Sequence, residues 1–193
     1  MKTSAVILAG GASRRMGAPK ALLTFAGETF LDRLIGIFEP RCSKVVVVLG
    51  HNGEAIRAGL VRTAEFAVNP DPERGQLSSL QCGFHALDKD HGAVFFTPVD
   101  YPGIRPETVE EIHSAMKSGD AAVVPAYRGR HGHPVLIAPQ LVSEFLDLSD
   151  SATARDVMHR HTEDTRYIEV DDPGILLDVD DPEAYRALTQ VAF

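Results

Sequence analysis

A chain of 193 residues, 44% hydrophobic and 24% charged, is long enough to bury one core without disulfides or structural metal, which excludes disorder and repeat arrays. Nineteen Lys and Arg against 27 Asp and Glu leave a formal net charge of -8, which repels polyphosphate backbones and argues against a nucleic-acid partner. Two cysteines, Cys42 and Cys82, offer no disulfide framework and suit a reducing cytoplasm, and no apolar stretch is long enough for a membrane partner.

Ser4 to Ala9 predicts a first strand, and the glycine-rich run from Gly10 to Lys20 follows it directly. A helix over 29–38 sets Phe30, Leu31, Leu34, Ile35 and Phe38 on one face, and Lys44 to Leu49 reads as the next strand. Asn52 is a plausible start for a helix over 54–62, Glu65 to Val68 is a short strand, and Ser78 can open a helix over 80–87. Ala93 to Val99 is strongly apolar, and the helix over 107–117 places Val109, Ile112 and Met116 together. Ala121 to Pro125 and His133 to Ile137 flank a polar, basic stretch, so they are either two more strands of the parallel set or a hairpin with an antiparallel edge strand. His159 and His161 lie in a helical segment; strands over 166–170 and 175–179 follow, then a helix begun by Asp180 or Asp181 and Pro182. Alternating strands and helices predict a Rossmann-like, three-layer α/β/α fold with a mostly parallel central sheet, in a single domain spanning 1–193.

The loop after the first strand sits where an open α/β sheet binds ligands. Gly10, Gly11 and Gly17 let the backbone approach an anion closely, while Arg15 and Lys20 add fixed positive charge suited to a triphosphate. Neither the dinucleotide fingerprint nor the P-loop spacing is present. The bland alternative is a flexible turn with solvated cations.

Asp100 ends a buried run, and a hard carboxylate at that edge suits Mg²⁺; its alternative role is capping the turn at Tyr101-Pro102-Gly103. Asp178 and Asp180, two apart, would share one face of a strand and need a cation between them, although Asp180 or Asp181 can equally cap the last helix. Asn69, Ser78 and Ser79 offer an amide and hydroxyls for a nucleotide, or simply turn and cap groups. The histidines lack zinc-ligand spacing, and Cys82 has no partner histidine placed by any motif, so burial is its simpler role.

Leu8-Ala-Gly-Gly-Ala-Ser-Arg-Arg-Met-Gly-Ala-Pro-Lys20 resembles the N-terminal signature of the MobA/MocA-like nucleotidyltransferases, which include molybdenum cofactor guanylyl- and cytidylyltransferases. The resemblance continues in Gly75-Gln-Leu-Ser-Ser-Leu80, Thr97-Pro-Val-Asp-Tyr-Pro102, Gly132-His-Pro-Val-Leu-Ile137 and Leu177-Asp-Val-Asp-Asp-Pro-Glu183, so it spans nearly the whole chain. It implies the fold of nucleotide-diphospho-sugar transferases and the transfer of an NMP unit to a phosphorylated acceptor, with pyrophosphate released. The resemblance suggests molybdopterin as acceptor and a molybdoenzyme as eventual recipient. It implies nucleotide binding by Leu8, Ala9, Gly10, Gly11, Ala12, Ser13, Arg15, Lys20, Asn69, Ser78 and Ser79, with Arg15, Lys20 and Asp100 as the catalytic set. Mg²⁺ would be held by Asp100 and Asp180, with Asp178 in reserve, and His133 would lie on the acceptor side. Ser78-Ser79 and the Gly132 motif resemble the cytidylyl branch, which favours CTP over GTP. Alternatives are a sugar- or polyol-phosphate nucleotidyltransferase and a non-catalytic nucleotide-binding partner in cofactor insertion.

Overall fold

Thr3–Ala9, buried at every position, is the central strand β1 of the computed structural model, which describes residues 2–190. Ala5, Ile7 and Ala9 turn to one face and Val6 and Leu8 to the other, so both faces need a covering layer. β4 (Lys44–Leu49) and β6 (Ala93–Pro98) pair with β1 in parallel on its two sides. β5 (Glu65–Val68) extends the sheet beyond β4. On the other wing stand β7 (Ala122–Tyr127), β9 (Val135–Ile137) and β10 (Thr165–Glu169), giving the order β10-β7-β9-β6-β1-β4-β5. A short β8 (Arg130–His131) pairs with the end of β7, and β2 (Thr24–Phe25) and β3 (Glu28–Thr29) form a separate hairpin.

Helices α1 (Phe30–Phe38) and α4 (Pro106–Ala115) cover the face that carries Ile7, Val47 and Phe95. On the opposite face, Val6, Val48 and Val94 meet α3 (Gln76–His85), α5 (Pro139–Leu146) and α6 (Ala154–Arg160). Each large apolar side chain buried in these layers contributes about 1.5–3 kcal/mol, which is why the faces, more than intrinsic propensity, fix the helices. Two further helices, α2 (Gly53–Ala58) and α7 (Pro182–Gln190), follow strand ends or loops near the parallel edge.

Three expectations are corrected here. The antiparallel strand is internal: β9 runs antiparallel between β6 and β7, and only β8 is a short outer pairing. A tight turn makes this reversal, with Arg128 and Gly129 both at positive φ, the geometry of a two-residue hairpin turn. The expected strand over 175–179 is instead a 3₁₀ turn at Pro173–Leu176 followed by a tight turn over Leu177, whose neighbour Asp178 donates its amide to the Leu176 carbonyl. Buried Asp172 accepts from the amides of Gly174 and Arg105 and from the Thr108 hydroxyl, which ties this segment across the sheet edge and prevents ladder pairing. The third helix begins at Gln76 behind Gly75, so Ser78 lies inside its first turn and is not the residue that starts it.

Candidate active site

Because β1, β4 and β6 are parallel, their carboxyl ends open on the same side, where a cavity of about 480 Å³ is bounded by the loop from Leu8 to Arg15, by His51 and by Pro98 to Asp100. Two glycine backbones meet at its floor: a Cβ at Gly50 would stand 2.7 Å from the Gly10 carbonyl oxygen, and the His51 amide donates to that oxygen at 3.2 Å. The loop is also pinned from within. Ser13 adopts φ 50, and its hydroxyl accepts from the Lys20 amide at 3.0 Å. A non-glycine residue held in the left-handed region carries strain that the surrounding bonds must hold in place, a pattern common in ligand loops.

Lys20, whose side chain is only 12% exposed, points into a cluster of acids. Its Nζ lies 2.5 Å from Asp180 Oδ1 and 3.4 Å from Asp100 Oδ2, while Arg15 reaches Asp180 Oδ2 at 3.8 Å. Oxygens of Asp100, Asp178 and Asp180 all lie within 4.8 Å of one another. Three hard oxygen donors in that space fit a small divalent cation, and Asp100 Oδ1 is buried with no hydrogen-bond partner, a lone pair without a donor. The electrostatics agree. Burial pushes the Asp100 carboxyl up despite Lys20; burial and the two neighbouring carboxylates push Asp178 up to about 6; hydrogen bonding to Lys20 pulls Asp180 down.

The capping alternatives are resolved by Asp181. Its Oδ1 accepts from the amides of Glu183 and Ala184, both at 2.9 Å, and so caps α7 and leaves Asp180 to face Lys20. Val179 is buried between the two acids and donates its amide to the Asp100 carbonyl at 2.9 Å, which lashes the C-terminal segment to the end of β6.

Of the residues singled out from the sequence, Leu8 to Ser13, Arg15, Lys20, Ser79, Asp100 and Asp180 border the cavity. Asn69 and Ser78 do not: the buried Asn69 amide donates to the Ser78 and Ser79 hydroxyls and its oxygen accepts from Asp71, so it braces the start of α3. Asp178 stands in the acid cluster beside the cavity, and His133 lines a separate one. Sequence reasoning missed Arg14, His51 and Glu73, which join across the cavity mouth with Glu73 Oε1 3.0 Å from Arg14 and 3.1 Å from His51. The position of Gly50-His51 at the end of a central parallel strand was the signal that would have found it.

The MobA-like NTP transferase domain matches residues 5–165. The chain is 26% identical over 182 residues to the molybdenum cofactor cytidylyltransferase of Escherichia coli (strain K12), covering 93% of this chain and 92% of that one. It is 33% identical over 148 residues, 74% of this chain and 66% of the other, to the molybdenum cofactor guanylyltransferase of Sinorhizobium fredii (strain NBRC 101917 / NGR234). Nicotine blue oxidoreductase of Paenarthrobacter nicotinovorans is 35% identical over 144 residues, with 68% of this chain and 69% of that one covered. The crystal structure of Rv0371c from Mycobacterium tuberculosis H37Rv shares the fold, with TM-score 0.87, 24% identity and 100% of both chains covered. Since the domain match reaches from within β1 to the start of β10 and takes in the whole glycine-rich loop and Asp100, the chain belongs to the MobA-like NTP transferase family and is a nucleotidyltransferase.

Proposed function

We propose that the enzyme transfers CMP from CTP to the phosphate of molybdopterin and releases pyrophosphate, with magnesium held by Asp100, Asp178 and Asp180. The observation that carries this reading is the buried, unpartnered Asp100 Oδ1 beside Lys20, at the end of the strand that faces the glycine loop. Magnesium would neutralise phosphate charge and polarise the transferring group. The loop amides from Gly10 to Ser13 bind the triphosphate, and Lys20 and Arg15 hold charge that builds on the leaving pyrophosphate. Arg15 is 70% exposed and pairs only loosely with Asp180, so it is free to fold onto phosphate. An acceptor phosphate is already ionised near neutral pH, so no protein base is needed to make it nucleophilic, in keeping with a phosphate side of the site built from cations and backbone amides.

CTP is favoured by the cytidylyl-like Ser78-Ser79 and Gly132-to-Ile137 segments and by the E. coli cytidylyltransferase, which aligns over almost the full chain. Pyrophosphate release from CTP, GTP, ATP and UTP, each with Mg²⁺ and molybdopterin, tests the reading. CTP should give the highest kcat/KM. A preference for GTP would overturn the base, turnover only with ribitol 5-phosphate would overturn the acceptor, and nucleotide binding without turnover would leave a non-catalytic binding protein. One relative bears an oxidoreductase name, so the assay includes a reduced nicotinamide dinucleotide with a quinoid dye. Dinucleotide oxidation without pyrophosphate release would replace transfer with redox chemistry.

A further inference from the structure

Arg14, Arg15 and Lys20 of the glycine loop are all answered by protein carboxylates, but not by the same ones. Arg14 and Arg15 are the middle residues of a turn closed by the Met16 amide on the Ser13 carbonyl at 3.0 Å, and from there they part. Arg15 and Lys20 meet Asp180 in the acid cluster, whereas Arg14 crosses to Glu73. A cation held among Asp100, Asp178 and Asp180 would answer those acids in place of Arg15 and Lys20. It would not answer Glu73, which stands outside the cluster. Glu73 instead spans the cavity mouth, with one oxygen, Oε1, 3.0 Å from Arg14 Nη2 and 3.1 Å from His51 Nε2. A single carboxylate oxygen thus joins the loop after β1 to the chain just beyond β4.

The backbone that carries Glu73 is anchored on every side. Glu73 is the middle residue of the 3₁₀ turn Pro72–Arg74, which the Gly75 amide closes on the Pro72 carbonyl at 3.1 Å. Asn69 accepts from the Asp71 amide before the turn, and Arg74 pairs with Asp150 after it. Pro72 also packs against Gly50, where an added Cβ would stand 3.0 Å from the Pro72 Cβ. Movement is therefore left to the side chains. Arg14 is 78% exposed and Glu73 63%, so water screens their pair and it opens at little cost. Because both ends hang from anchored backbone, the same contact forms again once the side chains are free.

Arg14, His51 and Glu73 all border the first cavity, beside the loop amides. We propose that Glu73 is a carboxylate latch on Arg14, displaced by an incoming polyphosphate, which Arg14 then binds, and re-formed as pyrophosphate leaves. Arginine forks across two oxygens of a phosphate, whereas it meets Glu73 through one, so a polyphosphate wins the exchange. An exposed pair of this kind lowers the affinity of any ligand that needs Arg14 by about two- to fivefold, because only the open fraction binds. The latch weakens the hold on nucleotide and on pyrophosphate alike, and so favours departure of the product. This inference rests on the reading of the loop as a triphosphate site; its own measure is the coupling between Arg14 and Glu73.

Inorganic pyrophosphate with Mg²⁺ is the probe, titrated by calorimetry in about 0.15 M salt into wild type, Glu73→Gln, Arg14→Ala and the double variant. Both residues are exposed, so the substitutions leave the core intact. Glu73→Gln keeps the shape and removes the charge, and it should bind pyrophosphate about two- to fivefold more tightly than wild type. Arg14→Ala should bind it about tenfold more weakly, the loss of one charge-assisted contact. In that background Glu73→Gln should change affinity by less than about 1.5-fold, because no latched cation remains to be released. CTP should follow the same pattern. Unchanged or weaker binding by Glu73→Gln would overturn the latch, as would an equal gain with and without Arg14, the mark of general repulsion between Glu73 and anions. Wild-type affinity in Arg14→Ala would remove Arg14 from the phosphate site and the latch with it. Failure of the triphosphate reading looks different: neither pyrophosphate nor CTP would bind any of the four proteins, and both inferences would fall together.

Discussion

Replacing Lys20 by Met tests the acid cluster most directly, because the ammonium occupies the place that a metal cation would share. Methionine keeps the length of the stem and removes the charge. Lys20 and Asp100 are largely shielded, and stranding a partner of a buried ion pair costs about 3–5 kcal/mol. Asp180 is about half exposed, so solvent screens part of that loss, and a net destabilisation of about 2–3 kcal/mol is expected in the absence of metal. For a domain of this size that is about 5–10 °C in Tm. The pH dependence has a definite sign. Without Lys20, Asp100 and Asp178, both already pushed up by burial, titrate at higher pH in the folded chain than in the unfolded one, so the folded state binds more protons and stability falls as pH rises. Asp178, already pushed up to about 6 in wild type, makes the deficit largest above that pH. Urea denaturation at pH 5 and pH 8, with EDTA and then with excess Mg²⁺, on the order of 10 mM, reads the effect. Magnesium should restore most of the lost stability to Lys20→Met while turnover stays low. Metal-free stability within about 0.5 kcal/mol of wild type at pH 8 would show that Lys20 does not hold the acids together.

Asp181→Ala should cost about 1 kcal/mol through the lost cap of α7 and retain turnover, whereas Asp180→Asn should keep that cap and raise the half-saturating Mg²⁺ concentration in activity titrations. Asp178→Asn should shift the Mg²⁺ titration likewise, and a wild-type titration in either variant would remove that carboxylate from the proposed metal site. Gly50→Ala forces a Cβ against the Gly10 carbonyl and Pro72, so denaturation should show a loss of about 1–3 kcal/mol and kinetics a raised KM for NTP. His133 is held neutral by burial at about 4 against an unfolded value near 6.5, so the unfolded chain takes up its proton first and wild-type stability falls as pH drops from about 6.5 toward 4. His133→Gln should flatten that slope in urea melts at pH 7.5, 5.5 and 4.5, and an unchanged slope would refute its burial.

The parallel half of the sheet was legible because its strands are buried on both faces and read as continuous apolar runs, from Thr3–Ala9 to Ala93–Pro98. Position at the carboxyl ends of those strands then marked the glycine loop and Asp100, which lie together. The antiparallel wing was less legible. β9 has only Val135, Leu136 and Ile137 in its ladder, too short a run for periodicity to show whether it lies at an edge or between two strands. α5 was missed because its apolar face, Leu141, Val142 and Phe145, is short and begins at a proline that reads equally as a turn. Asn69 and Ser78 were read as nucleotide groups or as turn and cap groups, and the bond between the Asn69 amide and the Ser78 hydroxyl is a pairing across nine residues that no local spacing discloses.

The C-terminal acids show how a correct placement can follow from a mistaken element. A strand over 175–179 was expected to point Asp178 and Asp180 to the same side, and no strand forms there. The two acids nevertheless converge beside Asp100, because the residue between them is anchored. Val179 is that anchor: its side chain is buried and its amide is bound to the Asp100 carbonyl, so its neighbours face away from the core. Asp181 fixes the next residue by capping α7, and Asp172 fixes the preceding turn through the amides of Arg105 and Gly174. A segment tied at both ends and in the middle has little freedom to spread its charges, even though three carboxylates within 4.8 Å repel one another. The arrangement of the cluster is therefore imposed by the folding of residues outside it, Asp172, Val179 and Asp181. Altering Asp172 or Val179 should loosen the acids from Asp100 while leaving the glycine loop, which is pinned by Ser13 and Gly50, in place.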